Sequence, residues 1–190
     1  MTTKSGVFWV NWANENAKNS NQLIELEREF RENVEAFISA LREGKASVRI
    51  TSTRRNAKRA YLFHWAWRIA TGSANASDAT AMDGVDIEWD HGSASSSKNG
   101  ALEMVNGFGL AMPPNSNVAP SLTSNHIMGK AIDMTILWTG EMTVNDKAGN
   151  STKVQFSTNV NTNTQLHKVG ASYGVYKLTS DAPHWSHNGR

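Results

Sequence analysis

Apolar residues recur at three- and four-residue steps through Leu23, Leu26, Phe30, Val34, Phe37, Ile38 and Leu41. That spacing is the stripe of an amphipathic helix. Ser20 or Asn21 is the expected N-cap, acidic residues crowd the first half where the helix dipole favours them, and Gly44 is the expected stop. The rhythm then shortens to two. Residues 48–52 alternate and are β-branched, as a short strand requires. A second helix starts from Thr53 or Asn56 and runs to Ala70, carrying Ala57, Ala60, Tyr61, His64, Trp65 and Ile69.

Beyond it the pattern is softer. Residues 72–81 are rich in Ser, Ala, Asn and Thr and read as a surface loop. Residues 85–89 fit a strand, 92–100 a second loop and 101–106 a short helix leading to the Pro113-Pro114 break. Residues 131–138 alternate as a largely buried strand. Residues 142–144 and 153–157 flank Asp146-Lys147-Ala148-Gly149-Asn150, a hairpin turn. A helix over 162–172, a strand over 175–178 and a last strand through Pro183-His184-Trp185 complete the chain. The first twenty residues, rich in Asn and Trp, show no period, and there are no internal repeats. The expected class is α+β: N-terminal helices packed on a small, mainly antiparallel sheet. Residues 1–47 read as an N-terminal segment of the same single domain, and 48–190 as its core.

Composition narrows the chemistry. The chain has 190 residues, enough to bury a core without covalent staples, and no cysteine. Disulfide frameworks, thiolate metal sites and a cysteine nucleophile are thereby excluded. The formal charge is only +2, and the basic cluster Arg49, Arg54, Arg55, Lys58 and Arg59 is too small an excess to suggest nucleic acid. No run is long enough for membrane insertion, and residues 7–10 are too short for a signal sequence. A protein acting outside the cytoplasm would then be carried there by other means.

Two stretches hold the candidate chemistry. Residues 124–133 have the form S-x-H-x-x-G-x-A-x-D, in which Gly129 and Ala131 suggest a tight turn feeding a strand. Residues 181–185 read Asp-Ala-Pro-His-Trp. His126, Asp133 and His184 are ligand types for a borderline metal such as zinc, and three of them leave a fourth position open. Asp181, in a turn restrained by Pro183, is placed to act as a base beside such a site. Taken singly, a histidine is more often a satisfied core or surface residue than a ligand, and short motifs of this kind also arise by chance. Ser124 reads as a support for His126, Lys130 as solvated and Trp185 as packing beneath the site. His64, His167 and His187 read as structural, Glu88, Asp90 and His91 as a polar strand end, and Trp65 and Trp67 as one core and one surface residue.

The two stretches together closely resemble the zinc peptidases that cut peptidoglycan stem peptides. These are the D-alanyl-D-alanine carboxypeptidases and L-alanyl-D-glutamate endopeptidases, which share the hedgehog-type fold. Ser124, His126, Gly129, Ala131 and Asp133 match all five fixed positions of the first motif, and the likeness spans residues 48–187. The resemblance implies a Zn²⁺ held by His126, Asp133 and His184, with Asp181 as catalytic base where many members carry Glu. Residues 52–55 (Ser-Thr-Arg-Arg) resemble the family's S-G-Y-R, without its Gly-Tyr pair. That makes Arg55 the aligned substrate-binding residue, with Arg54 its competitor and Ser124 a further candidate. The implied partners are peptidoglycan stem peptides, in a phage endolysin or a secreted antibacterial effector, the latter with an immunity protein. A zinc-fold binding module without turnover is the alternative.

Overall fold

Residues 2–190 are described by a computed structural model. In chain order the elements are β1 (Thr3–Lys4), α1 (Val7–Asn16), α2 (Arg28–Glu43), β2 (Ser47–Ser52), α3 (Ala57–Thr71) and β3 (Ile87–Glu88). They continue with α4 (Ala94–Phe108), β4 (Ala131–Leu137), β5 (Glu141–Asn145), β6 (Ser151–Gln155), α5 (Thr164–Ser172), β7 (Tyr176–Lys177) and β8 (His184–Ser186). The class is α+β. Internal contacts group the chain into two units, each made of two segments: Met1–Lys18 with Asn56–Thr123, and Asn19–Arg55 with Ser124–Arg190.

The second unit carries a four-stranded antiparallel sheet in the order β2-β4-β8-β7, with β5 and β6 as a separate hairpin. The amphipathic stripe does form a helix, but it starts at Arg28 rather than at Ser20 or Asn21. The backbone of Ser20 instead pairs with the strand end, its N–H donating to Arg54 O and its carbonyl accepting from Thr53 N–H. Groups used in that pairing are withdrawn from a helix. Glu27 takes over as the cap, its carboxylate accepting from the N–H groups of Glu29 and Phe30. Phe30, Val34, Phe37, Ile38 and Leu41 then join Ile132, Met134, Ile136 and Trp185 in one buried cluster, with α5 contributing Leu166 and Val169.

β4 is the central strand of that sheet. Its even positions 132, 134 and 136 are fully buried in the core, while Asp133 and Thr135 are half-buried on the other face. The pleat thus turns Asp133 away from the greasy core by the ordinary alternation of a strand. β2 is irregular opposite it: Ile50 pairs with Met134, and Ser52 pairs with Asp133. Such bulges re-aim a strand where it ends, here into residues 53–55.

In the first unit, α1, α3 and α4 share a second buried cluster that includes Trp9, Val10, Leu62, Trp65, Met104 and Val105, and β1 pairs in parallel with β3. Two helices depart from the pattern. Residues 7–16 are helical although they show no clear amphipathic stripe, because Trp9, Val10 and Ala13 fill one side while Val7 and Phe8 stay exposed. α4 begins at Ala94, not at Ala101. Ser93 caps it by accepting from Ser96 N–H, and the weak helix formers Ser97 and Gly100 lie on its packed side. A Cβ at Gly100 would come within 2.6 Å of Ser5 and His91. Packing therefore demands small residues where propensity disfavours a helix. Trp67 is a further correction: both it and Trp65 are buried, and its indole N–H donates to Ala111 O. Among the described residues no helix is long and apolar enough to cross a membrane.

Candidate metal centre

Three pieces of the second unit meet at one point. The turn of residues 124–129 delivers His126, β4 delivers Asp133, and β8 delivers His184 directly opposite Asp133 in the strand register. The antiparallel pairing alone brings the last two side chains onto the same face. The turn is held by Ser124, whose carbonyl and hydroxyl both accept from Ile127 N–H, and by Gly129. Gly129 adopts φ +69°, and a Cβ there would stand 2.9 Å from Glu27 N and 3.1 Å from Glu25 O. The expected tight turn and close backbone approach are both present.

The inward atoms form an equilateral triangle. His126 Nε2, Asp133 Oδ1 and His184 Nδ1 are each 3.2 Å from the other two. Both histidines are buried, and Asp133 is partly so. Their outer nitrogens fix the tautomers. His126 Nδ1–H donates to Thr53 O at 2.6 Å, and His184 Nε2–H donates to Arg190 O at 3.1 Å. Each ring is left with a lone pair pointing inward, beside a carboxylate oxygen. Three acceptors facing one another repel unless a proton or a cation lies between them. This cluster can hold a metal ion. Without one, a proton takes that place: burial pushes the Asp133 carboxyl up, but hydrogen bonds from His126 and His184, and the positive charge such a proton brings, outweigh it. Asp133 is held well below the usual carboxylate range.

No family model, curated protein or solved structure matches the chain.

The other candidate residues fall into two groups. Asp181 lies in the turn immediately before His184, exposed, and none of its hydrogen bonds within the described residues joins its carboxylate to the triangle. Arg54 is also exposed and forms a 3.6 Å ion pair with Glu25, a surface contact of little energetic weight. Arg55 meets the site through its backbone, its N–H donating to His126 O at 3.0 Å, with its side chain half-buried. Among the residues taken as structural, His64 bonds Pro120 O, His167 bonds Val160 O and His91 bonds Ser5 Oγ. Trp185 is buried against Phe37, under the sheet as expected.

Sequence reasoning passed over two residues that support the cluster. Thr53 is wholly buried, its carbonyl orients His126, and its hydroxyl donates to Gln22 O. Lys177 is buried beneath the 178–184 turn, with its ammonium on three carbonyls of that turn. Backbone acceptors leave no signature in side-chain identity, so neither role was legible in the residue pattern. A cavity of about 470 Å³ adjoins the same strand, bordered by Thr51, Thr135, Leu137, Phe156, Pro183 and Trp185. The Thr51 hydroxyl donates to Asp133 O. β8 covers β4 only over residues 131–133, so 135–137 have a strand partner on one side alone.

Proposed function

We propose that this chain is a zinc-dependent peptidase that hydrolyses an amide bond in the stem peptide or cross-link of peptidoglycan. The observation that carries the reading is the triangle of lone pairs. Ligand atoms bound tetrahedrally at about 2.0–2.1 Å from zinc are separated by roughly 3.3–3.4 Å, close to the 3.2 Å edges here. Two imidazoles and one carboxylate are a zinc donor set. Outer hydrogen bonds like those to Thr53 O and Arg190 O hold such ligands in place and raise their basicity. Three protein ligands leave a position for water or substrate, the mark of a catalytic rather than a structural site. Zinc there supplies a Lewis acid and a water of lowered pKa.

The remaining chemistry belongs to side chains of this unit. Asp181 accepts the proton of the attacking water as the C–O bond forms. It passes that proton to the amine nitrogen as the C–N bond breaks. Arg55, with Arg54 beside it, supplies a guanidinium that can grip a peptide carboxylate in bidentate fashion. The substrate class rests on the resemblance of residues 124–133 and 181–185 to the peptidoglycan peptidases. A phage endolysin or an injected effector neutralised by an immunity protein is the setting that resemblance favours.

The test combines metal analysis with digestion of purified cell walls. One zinc per chain and new muropeptides identified by mass spectrometry are expected, and the fragments name the bond. A protein that takes up no zinc and leaves the walls intact would overturn the proposal. Zinc uptake and wall binding without any released amine would instead assign the chain to a binding module.

A further inference from the structure

Lys177 is a buried cation in a molecule whose other lysines are at least partly exposed. Its Nζ donates to Leu178 O and Asp181 O, each at 2.5 Å, and to His184 O at 3.2 Å. Those same carbonyls also accept from one another's backbone. Asp181 N–H donates to Leu178 O at 3.2 Å, His184 N–H to Asp181 O at 3.1 Å, and Leu178 N–H to His184 O at 3.2 Å. The three bonds form a closed ring, and the three oxygens converge on one ammonium. An ammonium has three N–H groups and a carbonyl has two lone pairs, so every donor and every acceptor in the ring is used.

The ring encloses both residues that the peptidase reading needs from this end of the chain. Asp181 and His184 are two of its three corners, and Pro183 between them has no N–H to offer. Three backbone bonds of 3.1–3.2 Å are ordinary in length, and a short loop closed by them alone can rearrange at small cost. The ammonium ties all three corners to one buried point. The Trp185 ring, 5.7 Å from Nζ, packs against it from the core. Burial pushes the Lys177 ammonium down to about 8, against the attraction of the Asp181 and Asp133 carboxylates.

We infer that Lys177 is a positioning residue of the metal centre: it locks the 178–184 turn so that His184 Nδ1 completes the ligand triangle and Asp181 stands beside it. The inference rests on the metal-site reading above. It also makes a distinction of shape. An arginine keeps the charge, but its planar fork of donors cannot meet three carbonyls that converge on one point.

The chain has no cysteine, which permits a direct test. Zinc affinity by chelator competition and the visible spectrum of the Co²⁺-substituted protein are compared for wild type, Lys177→Met and Lys177→Arg. Lys177→Cys is added, untreated or aminoethylated at its single thiol in denaturant and refolded, beside wild type taken through the same refolding. Loss of outer support for metal ligands typically weakens binding about 10- to 100-fold. That loss and an altered Co²⁺ spectrum are expected for Lys177→Met and Lys177→Arg, with recovery only in the aminoethylated protein. Wild-type affinity and spectrum in Lys177→Met would overturn the inference, as would aminoethylation that restores nothing. Where Lys177→Met does not fold, the treated and untreated Lys177→Cys proteins decide the question. A wild type that binds no zinc removes the metal-site reading itself, an outcome distinct from a variant that binds as wild type does.

Discussion

Replacing Gly129 with alanine should unseat the turn that presents His126, and the structure gives the cost in two separable parts. The first is backbone strain: φ is +69°, and an L residue in that region costs about 1–2 kcal/mol. Alanine also restricts the unfolded chain, which offsets roughly 0.4–1 kcal/mol. The second part is collision. The new Cβ would lie 2.9 Å from Glu27 N, 3.1 Å from Glu25 O and 3.4 Å from Leu26 C. All three are main-chain atoms beside the N-terminus of α2, so no side chain can swing away. Overpacking of this kind costs about 1–3 kcal/mol. Gly140 provides the control: φ is +63° and nothing lies within 4 Å of its virtual Cβ, so Gly140→Ala carries the strain alone. Urea unfolding of the two variants should therefore show Gly129→Ala less stable than Gly140→Ala by about 1–3 kcal/mol. Zinc affinity should fall in the first and not in the second, because Gly129 N–H also donates to His126 O. Equal stabilities within about 0.5 kcal/mol, the limit of additivity between independent sites, would refute the claim that the turn is clamped against α2.

Other expectations concern the cluster directly. In metal-free protein Asp133 has a depressed pKa, so between the folded and unfolded values the unfolded chain binds more protons. The stability it contributes is then present above the unfolded carboxyl pKa of about 3.9 and is lost as pH falls below it. Acid unfolding of Asp133→Asn should have a shallower slope than wild type in that range, and an identical slope would count against the hydrogen-bonded cluster. Adding zinc should raise the thermal midpoint of wild type in proportion to the logarithm of free zinc. His126→Ala and His184→Ala should show no such rise, and a full rise in either would remove that histidine from the ligand set. Asp181→Ala should keep its zinc while losing about 10²- to 10⁴-fold in muropeptide release, the range for a general base. Undiminished turnover would strip it of that role.

The elements that were readable from the sequence are those whose fate is decided locally. The alternation of residues 131–138 became β4, and Asp146 to Asn150 became the turn between β5 and β6, where the Asp146 carboxylate accepts from Ala148 N–H and Asn150 N–H. Asn56 caps α3 as its side-chain chemistry suggests. The misreadings arose where distant packing decides. α4 extends through a serine- and glycine-rich stretch because Gly100 must pass close to Ser5, and α1 is defined by what covers Trp9 and Val10. The start of α2 was misplaced because Ser20 pairs with residues more than thirty positions later.

For the metal centre the division is similar. Residue types made His126, Asp133 and His184 candidates, since ligand chemistry is a property of the side chain, and the resemblance of the two stretches that hold them grouped the three. Their convergence into a triangle of 3.2 Å edges was decided by strand register, because only pairing across the sheet can set His184 opposite Asp133. The tautomers were decided by carbonyls of Thr53 and Arg190, and the 178–184 turn by an ammonium beneath it. A backbone oxygen is the same in every residue. Its position, and hence the groups it orients, exists only once the chain has folded.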